Sequence, residues 1–321
     1  MRVTLIVNPF ASSVTHRTRV RIQQLLAADH ELTVVETTKG GHAIRLAHGA
    51  AKAWAEVIVA LGGDGTINEV ANGLLDDGPA DDRAAIVPLP GGSTNVFARA
   101  LGYPNDPLEA TSVLVEALNR RSTMLASVGM ANGRAFLFHA GAGFDAAVVQ
   151  RVEERGPLKR YVGHPLFVAS TVATWLRDVD RRRPWFSIET DDGRRVADAQ
   201  LAVTLNCNPY TYLGARPLDL APEADLTTPL SIVALRSLAM HRLLPVATEA
   251  LRGGDAGLAD GGSIRHWDEV FGATLVGYRD FPYQLDGEAM EPVPELRLQH
   301  RPRAVKLVVP HREPDQLPAP T

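Results

Sequence analysis

Along the first hundred residues, short apolar runs alternate with stretches whose apolar positions recur every three or four residues. Segments 3–7, 32–36, 57–61 and 84–87 have the length and β-branched content of buried strands. Segments 18–28, 43–54 and 66–75 carry helical spacing, and a further helix follows Asn95. This alternation predicts an α/β fold in residues 1–121, a doubly wound parallel sheet with helices on both faces. From Ser122 the pattern changes. Segments 122–130, 134–140, 185–190, 201–206, 230–235, 271–278, 281–285, 295–298 and 304–309 read as short strands separated by turns. They predict a β-sandwich-like second domain over 122–310. No internal repeat is visible, and the proline-rich, polar end at 311–321 reads as a disordered tail.

Ligands of a doubly wound sheet sit at the carboxyl ends of its strands. Four loops fall there, carrying Asn8-Pro9, Thr37, Gly62-Gly63-Asp64-Gly65-Thr66, and Gly92-Ser93-Thr94-Asn95. The third is the centre of the pattern: a buried strand, a glycine turn, and a helix opening at Thr66. Glycines leave room for a ligand, and a helix N-terminus offers free N–H groups and a positive dipole end, which suits phosphate. Asp64 opposes that reading, because two charges ~4 Å apart interact by about 4 kcal/mol at an effective dielectric near ~20. The conflict disappears if Asp64 holds a Mg²⁺ that bridges to phosphates, or takes a proton from an attacking hydroxyl. Either role implies phosphoryl transfer. The plain alternative is a strand-to-helix loop with Asp64 as a cap.

Asn8-Pro9, Thr37 four residues before Gly41, Gly62-Gly63-Asp64-Gly65-Thr66 with Asn68-Glu69, and Pro90-Gly91-Gly92-Ser93-Thr94-Asn95 together resemble the bacterial diacylglycerol kinase and sphingosine kinase family. The glycine-aspartate-glycine motif alone is less specific, being shared with NAD kinases and phosphofructokinases. The resemblance runs to about residue 310 and departs from the family at Ser93 (usually threonine) and Val96 (usually aspartate). It implies ATP bound by the four loops, through Asn8, Pro9, Thr37, Gly62, Gly63, Asp64, Gly65, Thr66, Asn68, Glu69, Gly92, Ser93 and Asn95, with Asp64 near a catalytic Mg²⁺. It also implies an active site in the cleft between the domains.

In the second half, Tyr283-Gln284-Leu285-Asp286-Gly287-Glu288 reads on its residues as a hairpin turn at Asp286-Gly287. The resemblance makes Glu288 the proton acceptor, a carboxylate of the kind a hydroxyl nucleophile needs. Asp286 then orients the turn or helps hold metal. Gly143-Phe144-Asp145 matches a family motif near the acceptor lipid, which implies substrate binding by Asp145; on its residues alone, Asp145 would cap a helix over 146–153. Asn206 and Leu220-Ala221-Pro222 also match. Many bacterial relatives follow these with an aspartate-rich turn for a structural magnesium. Thr227 and Ser231 stand where carboxylates are expected, which leaves too few anionic oxygens for a hard cation. The expectation is that this metal site is absent or degraded.

The apolar run 165–176 is flanked by Lys159-Arg160 and by Arg181-Arg182-Arg183 with Trp185. It is too short to span a bilayer. It reads as a helix packed on the second domain or as an element touching a membrane surface, its arginines meeting anionic headgroups.

Composition narrows the classes. The chain has 321 residues and a formal net charge of −4, so no whole-chain case for nucleic-acid binding exists. Cys207 is the only cysteine, which excludes an intrachain disulfide and fits a reducing compartment. No His/Cys cluster suggests zinc, and no Gly-x-Ser-x-Gly turn suggests a hydrolase. Without a transmembrane run or a secretory leader, the expected location is cytoplasmic, peripherally associated with the inner face of the membrane. The expected function is an ATP- and Mg²⁺-dependent lipid kinase acting on a diacylglycerol-like or sphingoid hydroxyl. Its rivals are an NAD kinase-like enzyme, whose expected second-domain Gly-Ser-Thr-Ala-Tyr motif is missing here, and an inactive nucleotide-binding regulatory protein. Partners expected from this reading are the membrane lipid and a transient membrane surface. The residues leave monomer and homodimer open.

Overall fold

The computed structural model describes residues 1–75, 80–154, 183–239 and 263–311, with single positions 241 and 248. The expected membrane-contacting run at 165–176, most of its basic flanks and the tail at 312–321 lie outside the described residues. The chain divides into two compact units, Met1–Ala126 with the residues from Ala304 onward, and Ser127–Arg303.

The first unit is built from β1 (Arg2–Val7), α1 (His16–Ala27), β2 (Glu31–Glu36), α2 (His42–Lys52), β3 (Val57–Gly62), α3 (Asp64–Leu74), β4 (Ala85–Pro90), α4 (Val96–Ala100) and α5 (Pro107–Asn119). Its sheet runs in the order β2-β1-β3-β4, every pair parallel. Near the chain's end Leu307 joins β4 in parallel register with Ile86. All six positions of β3 and of β4 are buried, as continuous apolar strands covered on both faces should be. The outermost strand β2 has only exposed and half-buried positions instead. Local signals set the helix starts. Thr15 Oγ1 accepts the Thr18 N–H, and Asp106 accepts those of Leu108 and Glu109 ahead of Pro107 at the first helical position. The helix expected after Asn95 is the short α4; α5, signalled by Asp106-Pro107, is an addition. Because β1 leads outward to β2 and β3 leads the other way to β4, the strand order reverses between β1 and β3, the topological switch point at which open parallel sheets form a crevice.

The second unit contains most of β5 (Thr123–Ala131), then β6 (Arg134–Phe136), β7 (His139–Gly143), α6 (Phe144–Glu154), β8 (Phe186–Thr190), β9 (Arg195–Ala199), β10 (Leu201–Leu205), β11 (Thr211–Leu213), β12 (Arg216–Leu218), β13 (Leu230–Leu235), β14 (Ile264–Val270), β15 (Gly272–Leu285) and β16 (Glu288–Val308), whose end belongs to the first unit. Antiparallel pairing gives β14-β13-β10-β7-β15, and β15 pairs at its other end with β8, which pairs with β9. Three expectations change. The pairs of strands expected at 271–278 with 281–285, and at 295–298 with 304–309, are the single long strands β15 and β16. They form one hairpin with register breaks between Val276 and Phe281 and between Phe281 and Tyr283. Gly277 sits at the first break, where an added Cβ would lie 2.3 Å from the Arg279 carbonyl oxygen. The second unit ends at Arg303 rather than at 310, because the end of β16 pairs with β4. The strand expected at 134–140 is interrupted between β6 and β7, where a buried carboxylate takes the backbone amides. Phe136, Phe186, Ile188, Phe281, Leu285 and Leu296 anchor the unit's main core. Among the described residues no helix is long and apolar enough to cross a membrane.

Candidate functional site

In the first unit the glycine loops after β3 and β4 touch backbone to backbone. The Gly91 N–H donates to the Gly62 carbonyl at 2.8 Å. A Cβ on Gly91 would lie 2.9 Å from Gly62 Cα, and one on Gly92 would lie 2.8 Å from Gly63 Cα. Only glycine permits this approach, which leaves no side chain between the two loops. The loop after β1 joins them, since Asn8 Nδ2 donates to Thr66 Oγ1 at 3.0 Å and the Asn8 N–H to the Leu61 carbonyl at 2.9 Å. Asn8 Oδ1 also accepts the Phe10 N–H at 3.0 Å, closing a turn over Pro9. The N–H of buried Thr37 donates to the Val7 carbonyl at 2.9 Å, tying the loop after β2 to β1. Asn95 adopts φ 51 and shapes its own loop, Oδ1 accepting the Gly92 N–H at 2.8 Å and Nδ2 donating to Asn105 Oδ1 at 2.8 Å. Ser93 is exposed, and Gly65 has open space around it.

The acids of this motif do something the sequence did not announce. Asp64 opens α3, and its two oxygens accept the N–H groups of Val96 and Phe97, both at 3.0 Å, at the start of α4. Burial raises its carboxyl above the ordinary range; those two amides and the charge of Arg99 offset part of the rise. Part of the charge compensation for Asp64 is therefore built into the fold. The reading of Asp64 as a mere cap of α3 is corrected: it holds the N-terminus of a different helix. Glu69 plays the same part for α2, its oxygens accepting the Gly41 N–H at 2.7 Å and the Ala43 N–H at 2.9 Å, where Gly41 lacks any side chain to cap with. Asn68 is buried, and Asn72 Nδ2 donates to its Oδ1 at 3.0 Å. Glu69 and Asn68, expected to touch nucleotide, hold the scaffold through these bonds.

In the second unit Leu285 pairs with Glu288 across a two-residue turn. Asp286 (φ 50) and Gly287 (φ 78) are both left-handed, the type I′ geometry that an Asp-Gly hairpin favours. Buried Asp286 accepts three backbone N–H groups, from Leu137 at 2.7 Å, Phe138 at 3.0 Å and His139 at 3.1 Å. Three of roughly four acceptor positions on that carboxylate are thereby used, so Asp286 orients the turn. Glu288 Oε2 meets Arg134 Nη2 at 2.6 Å, both side chains remaining partly exposed.

Asp145 is not a helix cap. It is buried in the first turn of α6, with Oδ1 accepting the Tyr210 hydroxyl and Oδ2 accepting Gln284 Nε2 at 2.8 Å. Burial raises its carboxyl and also raises the Tyr210 hydroxyl. His139 packs on Tyr210 with ring centroids 4.6 Å apart. Burial pushes its imidazole down to about 3, and Nδ1 has no hydrogen-bond partner. Arg134 and Tyr210 carried no motif, and Gln284 was read only as part of the stretch that holds the Asp286-Gly287 turn. The one available signal was Gln284 two residues before Asp286, a polar pair at the buried end of an apolar strand. In the turn where carboxylates are replaced, Asp225 Oδ1 accepts the Thr227 N–H and hydroxyl, and the Ser231 hydroxyl donates to Asp268 Oδ1 at 2.6 Å.

Residues 2–127 match the family model described as the diacylglycerol kinase catalytic domain. A probable lipid kinase YegS-like of Chromohalobacter salexigens is 37% identical over 45% of this chain and 44% of its own length. The diacylglycerol kinase of Bacillus subtilis is 29% identical over 78% of this chain and 79% of its own. The chain thus matches less than half the length of the first of these curated relatives. Among solved structures, a diacylglycerol kinase from Bacillus anthracis superposes with TM-score 0.73 at 25% identity, covering 98% of both chains. An NAD kinase from Archaeoglobus fulgidus in complex with ATP, at TM-score 0.52 and 11% identity over 97% of this chain and 94% of its own, shares the fold alone.

Proposed function

We propose that the chain is a member of the bacterial diacylglycerol kinase family and that it transfers the γ-phosphate of ATP to a hydroxyl of a membrane lipid, diacylglycerol-like or sphingoid. The observation that carries this reading is the side-chain-free contact of Gly62-Gly63 with Gly91-Gly92 at the switch point of a parallel sheet. Backbone amides and the N-terminus of α3 suit a triphosphate there. Asn8, Thr66 and Asn95 hold the loops in that shape, and exposed Ser93 offers a hydroxyl to the nucleotide.

Among the described residues no three His, Cys, Asp or Glu side chains gather to hold a cation. A Mg²⁺ would therefore enter with the nucleotide, whose phosphates and waters supply most of its oxygens, and Asp64 is the protein carboxylate available to it. When bound it supplies charge neutralisation for phosphoryl transfer. Glu288 takes the proton of the lipid hydroxyl, a hydroxyl being a poor nucleophile until it loses that proton. Arg134 holds Glu288 Oε2 and fixes the direction in which the carboxylate points. The acceptor lives in a bilayer, so the enzyme works at the inner membrane surface by transient peripheral contact.

The test is a mass-spectrometric screen of lipid acceptors with Mg-ATP, comparing the wild type with Glu288→Gln. The variant should lose about 10²- to 10⁴-fold in turnover and keep its affinity for ATP. Phosphate appearing on NAD rather than on lipid, or ATP binding without transfer to any acceptor, would overturn the lipid kinase reading.

A further inference from the structure

Gln284 links buried Asp145 to the turn that carries Glu288. Its Nε2 donates to Asp145 Oδ2 at 2.8 Å, and its Oε1 accepts the Gly287 N–H at 2.8 Å. Gln284 is fully buried. A carboxylate only accepts, so Asp145 dictates which end of the Gln284 amide faces it, and the carbonyl end is left for Gly287. Reversing the amide would set two donors against each other at Gly287 and two acceptors against each other at Asp145. Tyr210 holds the other oxygen of Asp145, which stops the carboxylate from rotating out of this arrangement. Gly141 makes room for it, since a Cβ there would lie 1.6 Å from Asp145 Oδ2 and 2.6 Å from Gln284 Nε2. On its opposite side the turn is pinned by Asp286, through the three amides of Leu137, Phe138 and His139.

We propose that Asp145 and Gln284 are positioning residues for Glu288: the hydrogen-bond chain Tyr210–Asp145–Gln284–Gly287 fixes the left-handed turn from which the base projects. The proposal rests on the reading of Glu288 as the base, but its geometric half stands apart from turnover. A side chain that leaves a two-residue turn changes direction with the turn, and a misplacement of about 1 Å at a reacting group can lower a rate about 100-fold. Asp145 thereby acts through Gln284 and touches no substrate.

Direction of donation gives the test. Gln284→Glu places two carboxylates face to face and breaks the chain. Adding Asp145→Asn restores it in the reverse sense. The amide introduced at position 145 can donate its N–H to the carboxylate introduced at position 284, which still accepts the Gly287 N–H. The carbonyl of that new amide still accepts the Tyr210 hydroxyl. Expected for Gln284→Glu is a kcat lower by about 100-fold with the KM for ATP unchanged, and recovery to within about tenfold of the wild type in the double variant. In a Glu288→Gln background, Gln284→Glu should lower the residual rate no further, a non-additivity that a general loss of stability would not produce. Hydrogen exchange at the Gly287 amide gives an arm independent of activity: protection lost in Gln284→Glu and regained in the double variant. Unchanged Gly287 protection in Gln284→Glu overturns the proposal, whatever the enzyme phosphorylates. So does a single variant as fast as the wild type while Glu288→Gln is slow. If instead Glu288→Gln turns over like the wild type, the base assignment falls, and the exchange data still decide whether the chain holds the turn.

Discussion

The glycine-loop cluster of the first unit and the Glu288 hairpin of the second reach fixed geometry by opposite means. The first is made of main chain: glycines bring two loops into contact, and Asp64 and Glu69 spend their charge on the N-termini of α4 and α2. The second is made of side chains drawn from distant segments, with Asp145, Tyr210 and Gln284 meeting behind one turn. A main-chain cradle tolerates different ligands with the same phosphate chemistry, because amides point wherever the loop points. A buried polar network tolerates little, since each member leaves another unsatisfied when it goes. The contrast therefore predicts brittle behaviour on one side and graded behaviour on the other.

The largest effect should come from Gly141→Ala. The new methyl would sit 1.6 Å from Asp145 Oδ2, so the network must open, leaving buried donors and acceptors without partners. The expected loss is about 3–5 kcal/mol, read as the shift of the urea midpoint by circular dichroism. A variant within about 1 kcal/mol of the wild type would show that the network is soft and the contrast wrong.

Next in size is an acid sensitivity carried by His139. Its buried imidazole is neutral in the fold, with a folded pKa near 3 against about 6.5 unfolded, so between these values the unfolded chain binds more protons. The stability from neutral His139 is fully present above about pH 6.5 and is lost as pH falls towards about 3. By linkage the loss from pH 6.5 to pH 4 is about 3 kcal/mol. His139→Leu should flatten that part of the profile relative to the wild type, measured by urea unfolding at half-unit pH steps. Parallel profiles for the two proteins would mean that the histidine is solvated.

What the sequence discloses follows the same division. The parallel sheet is readable because β3 and β4 are continuous apolar runs, and the loops because glycine and asparagine declare left-handed or crowded backbone within a few residues. The Asp286-Gly287 turn is readable for the same reason. The jobs of Asp64, Glu69 and Asn68 are not, since a carboxylate beside a phosphate-binding turn looks like chemistry until the helix it caps, some thirty residues away, is seen. Asp145 is hidden because its partners Tyr210 and Gln284 lie 65 and 139 residues along the chain. Arg134 is invisible for a related reason: nothing local marks an arginine that pairs with a glutamate 154 residues later. β15 and β16 each look like two strands because prolines and a bulge at Gly277 imitate turns when only the pattern is read.

The smallest effect is the one that tests the main-chain side, through two glycines of the same cluster. Gly91→Ala would bring a methyl to 2.9 Å from Gly62 Cα and to 2.8 Å from Val14 Cγ2, forcing the loops apart by a few tenths of an ångström and stretching the Gly91–Gly62 hydrogen bond. An overpacked contact of this kind is worth about 1–3 kcal/mol, so ATP should bind about 10- to 100-fold more weakly by calorimetry while the fold stays cooperative. Gly65→Ala is the matched control. It meets nothing within 4 Å and lies inside α3, where alanine is the better helix former, so stability should hold or rise by up to about 1 kcal/mol. If Gly65→Ala nonetheless weakens ATP, the open space beside it belongs to the ligand, because nothing in the protein objects to the methyl. If Gly91→Ala binds ATP as the wild type does, the touching loops are scaffold only, and the phosphates must be held elsewhere.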